Sequence, residues 1–179
     1  EGPSVDEEGR SGGGAAELLE GHLPGILEKL RSRPMRSEDR LEKGDAAGPD
    51  LARLAANPLV RGVRRIIQFE PDMEFCLRPD FVRGVQLLAR HGLSFDVCIN
   101  HRQLANTLKL VRQCPNVSFI LDHIGKPDIK GGLLDPWRAQ LRELAQFENV
   151  WCKLSGLVTE ADLERWTPAD LRPYLDHVV

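Results

Sequence analysis

The sequence predicts an α/β fold on a parallel sheet, and within that class part of a (β/α)8 (TIM) barrel. Three observations carry the expectation. Four short apolar runs alternate with one-sided helical patterns from Val63 onward. The runs begin near residues 63, 95, 117 and 150, so successive starts differ by 32, 22 and 33 residues. Runs of this apolar kind are the mark of parallel strands with helices over both sheet faces. An eight-unit barrel uses roughly 250 residues, or about 31 per βα unit, so the spacing fits about four units of one.

The elements follow in order. Residues 1–49 are rich in Gly, Pro and charge, as in EGPSVDEEGRSGGG and RSRPMRSEDRLEKGDAAGPD. Such composition buries too little apolar surface to offset chain entropy, so disorder is expected over 1–49 and a folded domain over 50–179. Within the first region, Ala15 to Ser32 could form a short amphipathic helix interrupted by Gly21 and Pro24, and its His22 reads as a solvated bystander. Asp50 should cap a short helix that stops before Pro58. Val63–Phe69 is the first strand. Pro79–His91 is a helix with Phe81, Val85 and Leu88 on one face. Phe95–Ile99 is the second strand, and Gln103–Cys114 a helix aligned on Leu104, Leu108 and Val111. Val117–Leu121 is the third strand. Asp135 and Pro136 should open the next helix, with Trp137, Leu141 and Leu144 inward. Val150–Leu154 is the fourth strand. A short helix over Asp162–Trp166 precedes another from Pro168 to Val179, aligned on Leu171, Leu175 and Val178.

Composition removes several function classes. The net charge of -3 gives no basic footprint, so nucleic acid is not expected as a partner. No apolar run approaches the roughly 18 residues of a membrane span, and nothing resembles a signal peptide. Cys76, Cys98, Cys114 and Cys152 are widely spaced without a CxxC pair, so reduced packing thiols in a cytoplasmic protein are expected. There is no Walker motif, GxGxxG or GxSxG elbow, which turns the expectation from nucleotide chemistry to a hydrolase assisted by carboxylates or a metal.

Chemistry concentrates in Val117–Pro127, VSFILDHIGKP. A mostly apolar run ends directly in Asp122 and His123, and Gly125, Lys126 and Pro127 break it. An α/β enzyme presents its reacting groups at such a carboxyl edge. Asp122 and His123 should face opposite ways in a regular strand, leaving Asp122 open to a bond with backbone or Lys126 as much as to catalysis. Arg64 and Gln68 share one face of the first strand, while Arg65 should face the helices. An Arg inside a strand needs an anion: a substrate carboxylate or hydroxyls, or a structural partner such as Glu70.

LDHIGKP, with GVRRIIQ and FDVCINHRQL before it and VWCKLSGL after it, resembles the amidohydrolase-related family (amidohydrolase 2), in the branch of sugar-lactone hydrolases and 2-pyrone-4,6-dicarboxylate lactonase. The resemblance covers about Leu51 to Val179. It implies that the four strands are barrel strands four to seven, and that the substrate is a small sugar lactone, another cyclic ester or a carboxylate. It also implies a divalent metal, zinc or manganese, or none. The family's HxH pair and its strand-eight Asp have no counterpart here: of His22, His91, His101, His123 and His177, no two are one residue apart. The expectation is therefore a truncated or misjoined barrel that hydrolyses lactones poorly alone. Two alternatives stand beside it: a non-catalytic barrel fragment self-associating through open sheet edges, and a metal-dependent decarboxylase or hydratase.

By the same resemblance His123 polarises a carbonyl or ligates the metal, with burial against Asp122 as the plain alternative. Asp122 is the second catalytic candidate. Arg64 is the substrate-binding choice, joined by Gln68, Gln103, Lys126 and Lys153; Ser155 is near enough to touch substrate oxygens. His101 departs from the family pattern and reads as a loop histidine. His91 suits a helix C-terminus, His177 an exposed surface, and Trp137 and Trp151 packing rather than a binding cage.

Overall fold

In this computed structural model residues 37–179 are described; the expected Ala15–Ser32 helix and His22 lie outside them. The alternating apolar runs form four strands, β1 (Gly62–Ile66), β2 (Ser94–Cys98), β3 (Phe119–Leu121) and β4 (Val150–Cys152). They lie side by side in the order β1-β2-β3-β4, every pair parallel. Between and around them run α1 (Gly48–Ala55), α2 (Pro79–Arg90), α3 (Leu104–Gln113), α4 (Trp137–Leu144) and α5 (Pro168–Val178).

Register sorts the side chains. Val63, Phe95, Phe119 and Val150 stand on one line and face the helices, whereas Arg64, Asp96, Ile120 and Trp151 stand on the next and face away. The helix side is the core. Phe75, Phe81, Phe95 and Phe119 form a chain of tilted and edge-on rings with centroids 5.2, 5.9 and 5.8 Å apart. Each such pair adds roughly 0.5–1.5 kcal/mol beyond its buried area. The helices contribute Phe81, Val85 and Leu88 from α2, Leu104, Leu108 and Val111 from α3, and Trp137, Leu141 and Leu144 from α4, all buried. The other sheet face is not covered by the described residues, which corrects the expectation of helices over both faces and leaves Trp151 53% exposed where packing was expected.

Order also starts ahead of residue 50. Ser37–Ala47 forms short 3-10 turns that lead into α1, and Leu41, Ala47 and Leu51 have no exposed surface. Gly84 makes this docking work: a Cβ there would sit 2.0 Å from the Leu41 carbonyl oxygen and 2.8 Å from its Cα. Helix boundaries shift too. Asp50 lies in the first turn of α1 with Ala47 as its cap, α4 starts at Trp137 rather than Asp135, and Asp162–Trp166 is turn, not helix.

Cys76, Cys98 and Cys114 are buried, Cys152 is exposed, and all four are free. Burial pushes the Cys76 and Cys114 thiols up to about 12, so both pack as neutral groups. Among the described residues no helix is long and apolar enough to cross a membrane.

Candidate active site

The site grows from the carboxyl ends of β1, β2, β3 and β4. Arg64 lies on the uncovered face of β1, opposite Asp96 of β2. Lys153 follows β4 directly; its backbone N–H donates to the Leu121 carbonyl at 2.9 Å, and its carbonyl accepts from Ile124 at 3.1 Å. Asp122, 1% exposed, sits between the two cations. Arg64 Nε is 2.7 Å from Asp122 Oδ2, and Lys153 Nζ is 2.8 Å from Oδ1. Lys153 Nζ also reaches Asp96 Oδ2 at 2.6 Å. Two cations and two carboxylates thus balance across the four strands. Bonds to Asp122 and Asp96 hold the Lys153 ammonium above its ordinary range. For Arg64, burial acts to lower the guanidinium, but Cys98, Asp122 and Asp96 outweigh it and the net shift is upward.

His123 joins by leaving the strand. Its φ of 54° and ψ of 42° are left-handed, and Ile124, Gly125 and Lys126 continue at positive φ. In an extended strand residues 122 and 123 would point to opposite faces. The left-handed turn instead brings both to Arg64, whose Nη2 lies 3.2 Å from His123 Nε2. That corrects the expected separation of Asp122 and His123. The other ring nitrogen, Nδ1, is 2.9 Å from Ser155 Oγ. Positive φ at a β-branched residue is costly, and Ile124 is held there by full burial and by the Trp137 indole donating to its carbonyl at 2.7 Å.

The remaining expected site residues divide. Gln68 lies beside the cluster: Cys98 Sγ donates to its Oε1 at 3.6 Å, and Arg64 Nη2 donates to Cys98 Sγ at 3.7 Å. Gln103 does not reach it. It is 1% exposed, its amide donates to the Ile67 carbonyl at 2.9 Å, and its Oε1 accepts from the Asn100 N–H at 3.2 Å. A residue with both ends of its amide spent on backbone is a structural clamp. Lys126 is turned instead to Glu160 at 3.2 Å, pinning the loop after β3 to the loop after β4. His101 ties its ring to the Lys126 carbonyl at 3.2 Å. Glu70 pairs with Arg65 at 2.5 Å, not with Arg64. His177 is half-buried, its Nε2–H donating to the Arg138 carbonyl at 3.0 Å and its ring meeting Trp137 edge-on.

Asp96, Cys98 and Gly156 are the members that sequence reasoning missed. A lone charge between Phe95 and Val97 was the signal for Asp96. As placed, the described donors do not fit a metal at His123. Among the described residues no three His, Cys, Asp or Glu side chains gather to hold an ion. Both Asp122 oxygens face cations, and His123 Nε2 faces a guanidinium, so a divalent ion would have to displace Arg64 and Lys153.

Comparison with known proteins bears on what this cluster does. A sequence model of the amidohydrolase family matches residues 41–179. An L-fucono-1,5-lactonase from Burkholderia multivorans is 41% identical over 138 residues, covering 72% of this chain and 47% of that protein. An L-fucono-1,5-lactonase from Burkholderia ambifaria is 36% identical over 119 residues, covering 66% and 41%. The chain therefore spans less than half the length of these curated relatives. A crystal structure of an amidohydrolase from Burkholderia multivorans with bound HEPES superposes with a TM-score of 0.67 at 32% identity, covering 89% of this chain and 58% of that one. A second crystal form, with bound zinc, gives 0.62 at 30% identity and covers 91% and 57%. The four parallel βα units are thus part of a (β/α)8 barrel.

Proposed function

We propose that this chain, which belongs to the amidohydrolase family, supplies the substrate-binding and carbonyl-polarising side of a site that hydrolyses small sugar lactones. The observation that carries the reading is the Arg64–Lys153 pair. Arg64 uses Nε on Asp122 and Nη2 on His123 and Cys98, and Lys153 uses two N–H groups on Asp122 and Asp96. Among the described residues Arg64 Nη1 and the third Lys153 N–H have no partner, and the two side chains are 46% and 44% exposed. Prealigned donors of this kind suit a lactone carbonyl as charge gathers on its oxygen. The names of the lactonase relatives support the substrate class.

No described carboxylate of the cluster is placed to activate water, since Asp122 and Asp96 are both spent on cations. The chain should bind aldonolactones but open them poorly. Titration of the full chain with an aldonolactone panel, followed by NMR and by acid release, tests both halves. Binding that disappears in Arg64→Met, with slow or absent turnover, is the expected result. No binding of any lactone, or ordinary enzymatic rates that survive Arg64→Met, would overturn the reading. The zinc bound in one relative's crystal belongs to that protein, and no step here runs through a metal.

A second reading rests on the sheet edges. Beside β4 lies a groove lined by Leu121, Leu141, Leu144, Val150 and Trp151, with Trp151 and Leu154 exposed. Such an edge invites pairing with another chain. Light scattering that gives a monomer at all concentrations would rule it out.

A further inference from the structure

We propose that His123 is a positioning residue: a neutral imidazole whose Nε2 lone pair aims the Arg64 guanidinium and whose Nδ1–H is received by Ser155. The inference deepens the lactonase reading, and rests on it only for what Arg64 then does. A guanidinium has five N–H donors, no acceptor and a permanent charge. Arg64 Nη2 approaches His123 Nε2 at 3.2 Å, so the contact is attractive only if Nε2 presents a lone pair. An imidazolium there would set N–H against N–H and cation against cation. The ring proton is therefore on Nδ1, and Ser155 Oγ, 2.9 Å away, accepts it. This is the reverse of the tautomer that a free histidine side chain prefers: the Arg64 donor imposes it, and the Ser155 hydroxyl, which can donate or accept, is turned to receive the Nδ1 proton.

The geometry accounts for three further features. Consecutive residues, Asp122 and His123, grip Nε and Nη2 of one guanidinium, which leaves Nη1 without a partner among the described residues. Left-handed φ at His123 is what makes that double grip reachable. Gly156, itself at φ 70°, lies against the imidazole: a Cβ there would stand 2.8 Å from His123 Cγ and Nδ1. Ser155 receives the ring proton and Gly156 seats the ring, so both residues of the SG pair in CKLSG serve the imidazole.

The test is the tautomer itself, read by 15N–1H correlation on the full chain labelled with 15N-histidine. The His123 signals are assigned by through-bond correlation to its backbone, with His123→Gln as a check. The expected result is an Nδ1–H neutral ring at neutral pH. Arg64→Met, which removes the donor at Nε2, should shift the signals towards the Nε2–H form, and Ser155→Thr should keep the parent spectrum. An Nε2–H ring or an imidazolium in the parent chain would overturn the proposal, as would a spectrum unchanged by Arg64→Met. Because no substrate enters this measurement, an Nδ1–H ring with no lactone binding defeats the lactonase reading alone. Lactone binding with the wrong tautomer defeats this proposal alone.

Discussion

Asp122→Asn removes one buried negative charge and almost no volume, which makes it the sharpest probe of the cluster. Its carboxylate is 1% exposed and takes Arg64 Nε at 2.7 Å and Lys153 Nζ at 2.8 Å. Removing one partner of a buried ion pair typically costs about 3–5 kcal/mol, chiefly because the other charge is stranded. Here Arg64 and Lys153 keep 46% and 44% exposure and can recover water, and the Asn oxygen still accepts one bond. The expected loss is therefore about 2–3 kcal/mol. With a urea slope of about 2 kcal/mol/M for a domain of this size, the midpoint should fall by about 1–1.5 M at unchanged slope. Lys153→Met in the Asp122→Asn background should cost less than it does alone, with a coupling of about 1 kcal/mol or more. A single-variant change within about 0.5 kcal/mol, or simple additivity in the double variant, would refute the picture of two cations held by one buried anion.

Gly84→Ala gains about 1 kcal/mol of helix propensity but should still destabilise by about 2–4 kcal/mol, because displacing Leu41 uncovers buried leucines; thermal unfolding and faster proteolysis near residue 41 would show it. Gly156→Ala should lower the melting temperature by a few degrees, because Ala is strained at φ 70°, and should also move the His123 ring signals and weaken lactone binding, whereas unchanged ring signals would deny the contact. Alkaline stability has a definite sign. The Cys76 and Cys114 thiols rise from an ordinary 9.0 to about 12 on burial, so the unfolded chain releases these protons first and stability falls as pH rises from about 9 to about 12. The loss is of order 4 kcal/mol per thiol at the top of that window; the Cys152 thiol is pushed up as well, to about 11, so Cys114→Ala should remove about a third of the slope seen by circular dichroism rather than all of it.

The sheet was legible because its signal is local and repeated. Apolar runs of fixed spacing, each followed by a one-sided helix, leave few alternatives to parallel βα units. The motif DHIGK was legible as a site for the same reason, but its geometry was not. Period-two reasoning put Asp122 and His123 on opposite faces, and four successive positive φ values overrode it. Nothing in the one-dimensional pattern demands left-handed Ile124; burial and the Trp137 bond, thirteen residues away, stabilise it there. Gln103 failed for a related reason. Its position near a strand end fits substrate binding, but its amide satisfies the Ile67 carbonyl and Asn100 N–H, pairings that only the folded loop reveals. Residues 41–49 were masked by composition: three apolar residues among charges look disordered until Gly84 offers a surface without a Cβ.

The charge balance of the cluster bears on which ligand it would favour. Arg64, Lys153, Asp96 and Asp122 sum to zero, so the mouth exerts little net pull on an anion approaching from solvent. A lactone is neutral, and the acid it yields is charged. On the lactonase reading, donors that are individually cationic but collectively neutralised can stabilise charge as it forms on one oxygen without holding the carboxylate product. Asp96→Asn breaks that balance and leaves every direct donor to the substrate in place. It should tighten aldonate binding severalfold while changing lactone binding little, and the aldonate affinity should weaken with added salt more steeply than in the parent chain. Equal tightening of lactone and aldonate would show that Asp96 acts through shape or packing, and would remove electrostatic discrimination between substrate and product from the account of this site.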